Sequence, residues 1–246
     1  MSKLHEKVAI ITGSSRGIGA AIALELARAG VKVVVNYLQN QQAADEVCAA
    51  ITGAGGKCIA IQADVSKPAD IRRLFDAAIE HFGRIDILVN NAGILIFKKI
   101  AEITDDEFDR IININLKSIF YTLREAAERL ADNGRIVNIS STVTRLMLPK
   151  YGPYAATKGA VEQLTRIFAR EAGERGITAN TVSPGPVFTE LFRAGKTEED
   201  IERMAAMSSL GRIGEVDDIA KIVLFLVSDE ARWITGQDIG ANGGMV

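Results

Sequence analysis

The sequence predicts one α/β domain, a parallel sheet with helices packed on both of its faces. Short β-branched runs alternate with helical patterns along most of the chain, and repeated strand–helix alternation builds parallel sheets. The strand runs are continuously apolar, as strands covered on both sides are. The 246 residues hold no Pro/Ser-rich linker, low-complexity tract or internal repeat, which fits a single unit spanning 1–246.

Taken in order, Val8 to Ile11, Val33 to Asn36, Cys58 to Gln62, Ile87 to Asn90, Arg135 to Ile139 and Thr178 to Val182 read as strands, with a last short one at Asp238 to Gly240. Between them apolar residues recur at i, i+3 and i+4. Ala20 to Ala29 closes at Gly30, and Gln41 to Ala54 ends at Gly55-Gly56. Pro68 to Phe82 ends at Gly83, with Ser66 upstream as its expected cap. Asp105 to Ala131 and Pro153 to Arg175 are long helical patterns, and Val216 to Val227 is a further helix. Phe188 to Met207 is more polar and reads as an insertion, a substrate lid around 188–210.

Lys and Arg number 29 against 31 Asp and Glu, a net charge of −2 with no basic run. That argues against nucleic acid or an anionic membrane as partner. Met1 to Lys7 leads into only a short apolar run, and no stretch nears the roughly 18 apolar residues of a membrane span. The expected compartment is the cytoplasm. Cys48 and Cys58 match no metal or redox spacing, so free thiols are expected. With only His5 and His81, no metal site is expected.

Thr12-Gly13-Ser14-Ser15-Arg16-Gly17-Ile18-Gly19 follows the first strand and opens the first helix. Glycine tolerates the positive φ of a tight turn and removes the Cβ that would hold a phosphate away. The helix N-terminus then offers N–H groups to a pyrophosphate. The spacing, Gly-x3-Gly-x-Gly, differs from the common dinucleotide fingerprint, and its weight comes from its place at the first strand–helix junction. The same residues fit the Gly-x-Ser-x-Gly nucleophile elbow, but that chemistry needs a late histidine and none follows His81. Gly195-Lys196-Thr197 ends like a P-loop, but Glu190 stands where its first glycine belongs.

Further segments fall at the ends of the predicted strands, where an open α/β sheet holds its ligand. They are Asp64-Val65, Asn90-Asn91-Ala92-Gly93, Ser141, and Pro184-Gly185; Tyr154 and Lys158 follow Ser141. With the glycine loop, this set resembles the short-chain dehydrogenase/reductase family over essentially the whole chain. The resemblance implies a Rossmann-type, doubly wound sheet and an oxidoreductase. Within the family the overall pattern, including Thr235-Gly236-Gln237 and Gly243-Gly244, is most similar to bacterial 3-oxoacyl-[acyl-carrier-protein] reductases of fatty acid biosynthesis.

The residue types suit that chemistry. Tyr154 and Lys158 lie four apart and share a helix face. A free tyrosine has a pKa near 10, so about one in a thousand is ionised at pH 7, and a neighbouring ammonium is expected to lower that pKa. The phenol then exchanges a proton with the carbonyl or alcohol oxygen, which Ser141 hydrogen-bonds. The resemblance adds that Lys158 binds the nicotinamide ribose and that Asn115 holds a relay water. Alone, Tyr-x3-Lys is commonly just helix surface, Ser140-Ser141 a turn, and Asn115 a packing residue; only the joint pattern is specific.

By the same resemblance Gly13, Ser15, Arg16, Gly17, Ile18 and Gly19 cradle the coenzyme, Asp64 and Val65 flank adenine, Asn91, Ala92 and Gly93 line the ribose side, and Pro184, Gly185, Val187 and Thr189 hold the carboxamide and phosphates. Asp64 also reads as a turn residue and Asn90 as a tie between strands. Tyr37 occupies the position where NAD-preferring relatives carry an acid, and Arg16 matches a basic residue of NADP-using ones, so NADP(H) is expected. The second basic residue of many such relatives is absent, since Leu38 stands there.

Leu95, Ile96, Val143, Leu146, Pro186 and Phe188, with Ser141 and Tyr154, are the expected substrate-pocket residues; core or lid packing explains the apolar ones as well. Two departures count against an acyl-carrier substrate: Leu130-Ala131-Asp132-Asn133 carries no basic residue, and Thr144 replaces a common glycine. Arg129, Arg135 and Arg175 are either a docking face or solvated helix surface. The expected function is NADP(H)-dependent reduction of a ketone to a secondary alcohol, the 3-keto group of a 3-oxoacyl-[acyl-carrier-protein] or a similar carbonyl. A dehydrogenase oxidising a sugar, steroid or other secondary alcohol, and a non-catalytic nucleotide sensor, are the alternatives. The family also implies a homotetramer packed through the two long helices, to which Ile119, Phe120, Leu164 and Phe168 are candidate contributors.

Overall fold

In the computed structural model, which describes residues 4–193 and 196–246, seven strands form one sheet. They are β1 (Val8–Ile11), β2 (Lys32–Tyr37), β3 (Cys58–Gln62), β4 (Ile87–Asn90), β5 (Arg135–Ile139), β6 (Thr178–Pro184) and β7 (Asp238–Ala241), in the order 3-2-1-4-5-6-7. Every pairing is parallel. Because β1 pairs with β2 on one side and β4 on the other, the winding reverses at its carboxyl end. Such a switch point opens a crevice for a ligand.

The helices are α1 (Gly17–Arg28), α2 (Gln41–Gly53), α3 (Pro68–Phe82), α4 (Asp105–Ile112), α5 (Ser118–Arg129), α6 (Val143–Leu146), α7 (Gly152–Glu171), α8 (Glu190–Arg193), α9 (Glu198–Ala206) and α10 (Val216–Val227). On one face Ile22 and Leu26 of α1 meet Val223 of α10; on the other Leu74 and Phe75 of α3 meet Leu123 of α5 and Val161 of α7. In α3 the buried Ile71, Leu74, Phe75 and Ala78 sit at i, i+3, i+4 and i+7, and Gly83 closes the helix at φ 83°. Each such large side chain contributes about 1.5–3 kcal/mol by leaving water.

Several elements differ from the sequence reading. The first helix starts at Gly17, because its glycine turn carries no apolar period. Ser66 does not cap α3: its hydroxyl donates to Asp64 Oδ1, and Lys67 precedes the helix. The long pattern from Asp105 is broken by a π-helical turn, Asn113–Lys117, and the Pro153–Arg175 pattern ends in a separate 3-10 turn, Gly173–Arg175. The polar insertion holds α8 and α9, the latter capped by Thr197.

Cys48 and Cys58 form a disulfide, with Cα atoms 5.3 Å apart, rather than standing as free thiols. The turn after α2 folds that helix back against the start of β3, so a spacing that matches no motif still brings the two sulfurs together. Ile119 and Phe168 are buried in the subunit's own core, whereas Phe120 is exposed.

Candidate active site

At the carboxyl end of β1 the chain turns through Gly13 and Gly17, at φ 61° and 55°. Asn36 of β2 holds this turn, its Oδ1 accepting from Gly13 N at 3.0 Å while Ser14 Oγ donates to Ile11 O at 2.7 Å. Asn91 grips the other side, its Nδ2 donating to the carbonyls of Thr12 and Gly13, both at 3.0 Å. No acid stands in the first turn of α1. Positive backbone ends, missing Cβ atoms and no carboxylate fit a dinucleotide's pyrophosphate.

Around this turn the other expected coenzyme residues gather. Asp64 and Val65 follow β3, with Asp64 Oδ1 accepting from Ser66 N and Oγ, so its turn role is present. Ala92 N donates to Thr12 Oγ1 at 3.1 Å. Gly185 N donates to Ala241 O, and Val187 is buried. A Cβ on Gly17 would lie 3.6 Å from the Thr189 methyl, so the insertion's start sits over the loop. Tyr37 is buried at the end of β2, and no acid follows before α2. Arg16 pairs with Glu190 at 2.9 Å, both exposed. Asn90 ties β4 to β5 by donating to Asn138 Oδ1 at 2.8 Å.

The reacting groups come from three elements. Ser141 follows β5, and α7 carries Tyr154 and Lys158 one turn apart. Lys158 Nζ lies 5.6 Å from the centre of the Tyr154 ring and donates to Ile139 O at 2.7 Å. The π turn buries Asn115, whose Nδ2 donates to Ile94 O and whose Oδ1 accepts from Ile94 N, both at 2.8 Å. A Cβ on Gly93 would meet Asn115 Oδ1 at 3.4 Å and Lys158 Nζ at 3.7 Å. Those are ordinary contact distances, so Gly93 places the segment after β4 directly against both polar groups.

Burial pushes the Tyr154 phenol up to about 12, opposed by its hydrogen bond with Ser141 and reinforced by Tyr151. Desolvation pulls Lys158 down to about 8. The four-residue spacing predicts that the ammonium lowers the tyrosine; instead desolvation is the larger effect. A phenol so raised stays protonated at neutral pH and is suited to giving a proton.

The cleft over these groups is lined by Leu95, Val143, Leu146 and Pro186, as expected, but not by Ile96 or Phe188. Phe188 is exposed beneath the Arg193 guanidinium, 5.1 Å from its ring centre. Leu148, Tyr151, Leu191, Phe192, Lys196 and Met204 complete the wall. They come from α8, α9 and neighbouring loops, whose approach no local spacing encodes.

Glu162, also unforeseen, lies one turn beyond Lys158. Its Oε1 accepts from Ser140 Oγ at 2.8 Å and from Thr144 Oγ1 at 2.9 Å, stapling the Ser141 turn to α7. Thr144, the departure from glycine, thus supplies one of the bonds. Its sequence signal was the four-residue step from Lys158. Glu162→Ala should strip two hydroxyls of their carboxylate acceptor, leaving them only the longer bonds to Lys158 O at 3.4 Å and Ser141 O at 3.2 Å, costing about 1–3 kcal/mol, and lower kcat about tenfold. Glu162→Gln, which keeps the acceptor, should restore most of both. Thermal unfolding and steady-state rates check this; equal kcat in the Ala variant and the parent would remove Glu162 from the account.

A family model described as Enoyl-(Acyl carrier protein) reductase matches residues 13–246. An uncharacterised oxidoreductase of Methylorubrum extorquens is 47% identical, covering 100% of both chains. The solved short-chain dehydrogenase/reductase of Serratia marcescens superposes at TM-score 0.94 with 39% identity, over 98% of each chain. The angucycline C-6 ketoreductase LanV, solved with NADP, gives 0.93 and 39%, over 99% of this chain and 97% of its own. With a whole-length family match on this sheet and this cleft, the chain belongs to the short-chain dehydrogenase/reductase family and is an oxidoreductase of carbonyl and CH–OH groups.

Proposed function

We propose that the protein reduces a ketone to a secondary alcohol with NADPH, using Tyr154 as the proton donor. One observation carries this reading: Tyr154 and Ser141 line the same apolar cleft, with Lys158 at the tyrosine ring. When bound, the reduced nicotinamide supplies hydride to the carbonyl carbon. Ser141 orients the carbonyl oxygen, and Tyr154 gives it the proton as negative charge develops there. Lys158 holds a positive charge beside the phenol and the coenzyme ribose. Asn115 clamps the Ile94 backbone and thereby the floor of the nicotinamide side.

The absence of an acid after β2 and the exposed Arg16 support NADP(H), as does the NADP bound in LanV. Arg16 exchanges Glu190 for the 2′-phosphate, since an exposed carboxylate pair is readily displaced. Arg16→Ala should lower the NADPH:NADH ratio of kcat/KM about tenfold; an unchanged ratio would contradict this role.

The segment around 188–210 acts as a lid, supported by Leu191, Phe192 and Met204 in the cleft wall. Carbonyl reduction is favoured over alcohol oxidation by the protonated phenol and by the ketoreductase relative. The retained proton-transfer groups disfavour a non-catalytic sensor. A 3-oxoacyl thioester remains the first substrate to assay, although the turn before β5 lacks basic residues for an acyl carrier protein. A homotetramer packed through α5 and α7 is supported by exposed Phe120 and Ile167. No described helix is long and apolar enough to cross a membrane, and a cytoplasmic setting is our reading of the sequence. A keto-substrate panel including an acetoacetyl thioester, run with both coenzymes, tests the reading. NADPH-dependent reduction of some member is expected, and none at all would overturn it.

A further inference from the structure

The outer half of the cleft carries chemistry that proton transfer does not use. A row of rings leads outward from the reacting phenol: Tyr154 lies 6.3 Å from Tyr151, and Tyr151 lies 5.1 Å from Phe97, centre to centre. At the end of the row stands Lys196, its Nζ 5.6 Å from the Phe97 ring and 4.9 Å from that of Phe192. Lys150 places a second ammonium 5.0 Å from Phe97.

Lys196 is half-buried and lines the cleft. It donates to Phe192 O at 2.7 Å, which uses one of its three N–H groups. Among the described residues no carboxylate lines the cleft, and none pairs with Lys196. Asp200, whose field does reach it, is occupied by Thr197 N and Oγ1 and by Arg203 at 2.6 Å. Aromatic faces hold a cation in place without neutralising it. A half-desolvated ammonium facing a cleft with no counter-charge gains most from an anion brought by the ligand.

We propose that Lys196 binds an anionic group, carboxylate or phosphate, that the substrate carries at a distance from its reacting carbonyl, with the apolar body of the substrate along the Tyr154–Tyr151–Phe97 row. This rests on the ketone-reductase reading and names the substrate class for it.

The test uses matched pairs: ω-phenyl-ω-oxoalkanoates of increasing chain length against their methyl esters, and the acetoacetyl thioester of phosphopantetheine against that of pantetheine. At the best chain length the acid should exceed its ester about tenfold in kcat/KM, chiefly through KM. A preference in the first set assigns the site to carboxylate, and in the second to phosphate. Lys196→Met should abolish the ratio and Lys196→Arg should keep it. The preference should also shrink as salt rises. Calorimetric binding of the same pairs to the NADP+ complex reads the site without turnover. Tighter binding of the anion with no reduction of any pair would overturn the reductase reading alone. Equal binding of acid and ester in both sets, or a ratio unmoved in Lys196→Met, would overturn the anion site.

Discussion

Tyr154→Phe should lower kcat by about a hundred- to ten-thousandfold while leaving the Kd for NADPH within about twofold. The ring keeps its place against Tyr151 and Lys158, so the substitution removes one hydroxyl and little packing. The pH dependence follows from the direction of the shifts. Tyr154, raised to about 12, is protonated throughout neutral pH, so reduction should not lose its donor there. Lys158, lowered to about 8, gives up its charge as pH rises through that value, so reduction should be flat below it and decline above. Alcohol oxidation needs the tyrosinate, whose fraction grows tenfold per pH unit below the phenol's pKa, so it should climb with pH over the same range. Stopped-flow or steady-state rates in both directions check this. A Phe variant that keeps turnover but loses coenzyme would reverse the assignment of Tyr154.

Gly19→Ala should be the most damaging small substitution in the coenzyme loop. A Cβ there would fall 2.5 Å from Asn91 Nδ2, 2.6 Å from Gly13 O and 2.8 Å from Ser14 Cα. Two of those atoms are backbone in the turn that must meet the pyrophosphate, so relief displaces the turn itself. Overpacking of this kind costs about 1–3 kcal/mol, and affinity for NADPH should fall more than tenfold as the N–H groups lose their alignment. Calorimetry and thermal unfolding measure both. By contrast, Gly55 at φ 84° has open space around its missing Cβ, so its substitution strains only the backbone. Unchanged coenzyme affinity in Gly19→Ala would show that the loop is not the phosphate cradle.

The central strands were legible because they are buried on both faces and read as short, largely apolar runs, such as Val8–Ile11 and Ile87–Asn90. The glycine loop and the Tyr154–Lys158 pair were legible because their function depends on short spacings within one turn or one helix face. What escaped was set by tertiary approach. Glu162 acquires its role only when the Ser140–Thr144 turn reaches α7. Lys196 meets the cleft between the rings of Phe192 and Phe97, and Phe97 is about a hundred residues away in the chain. The Cys48–Cys58 bridge needs a helix to fold back on its own strand. The π turn at Asn113–Lys117 widens a single turn inside a longer helical pattern, too local a change for the i, i+3, i+4 template to register. The tyrosine shift ran opposite to expectation because spacing reveals neighbours but not how much water they exclude.

The most direct measurement is a structure of the protein with NADP+ and the alcohol product of any ketone it reduces. Tyr154 Oη and Ser141 Oγ should both lie about 3 Å from the carbinol oxygen, with the carbinol carbon over the nicotinamide C4. A carbinol oxygen bonded to other groups, with the Tyr154 hydroxyl turned away from it, would contradict the account.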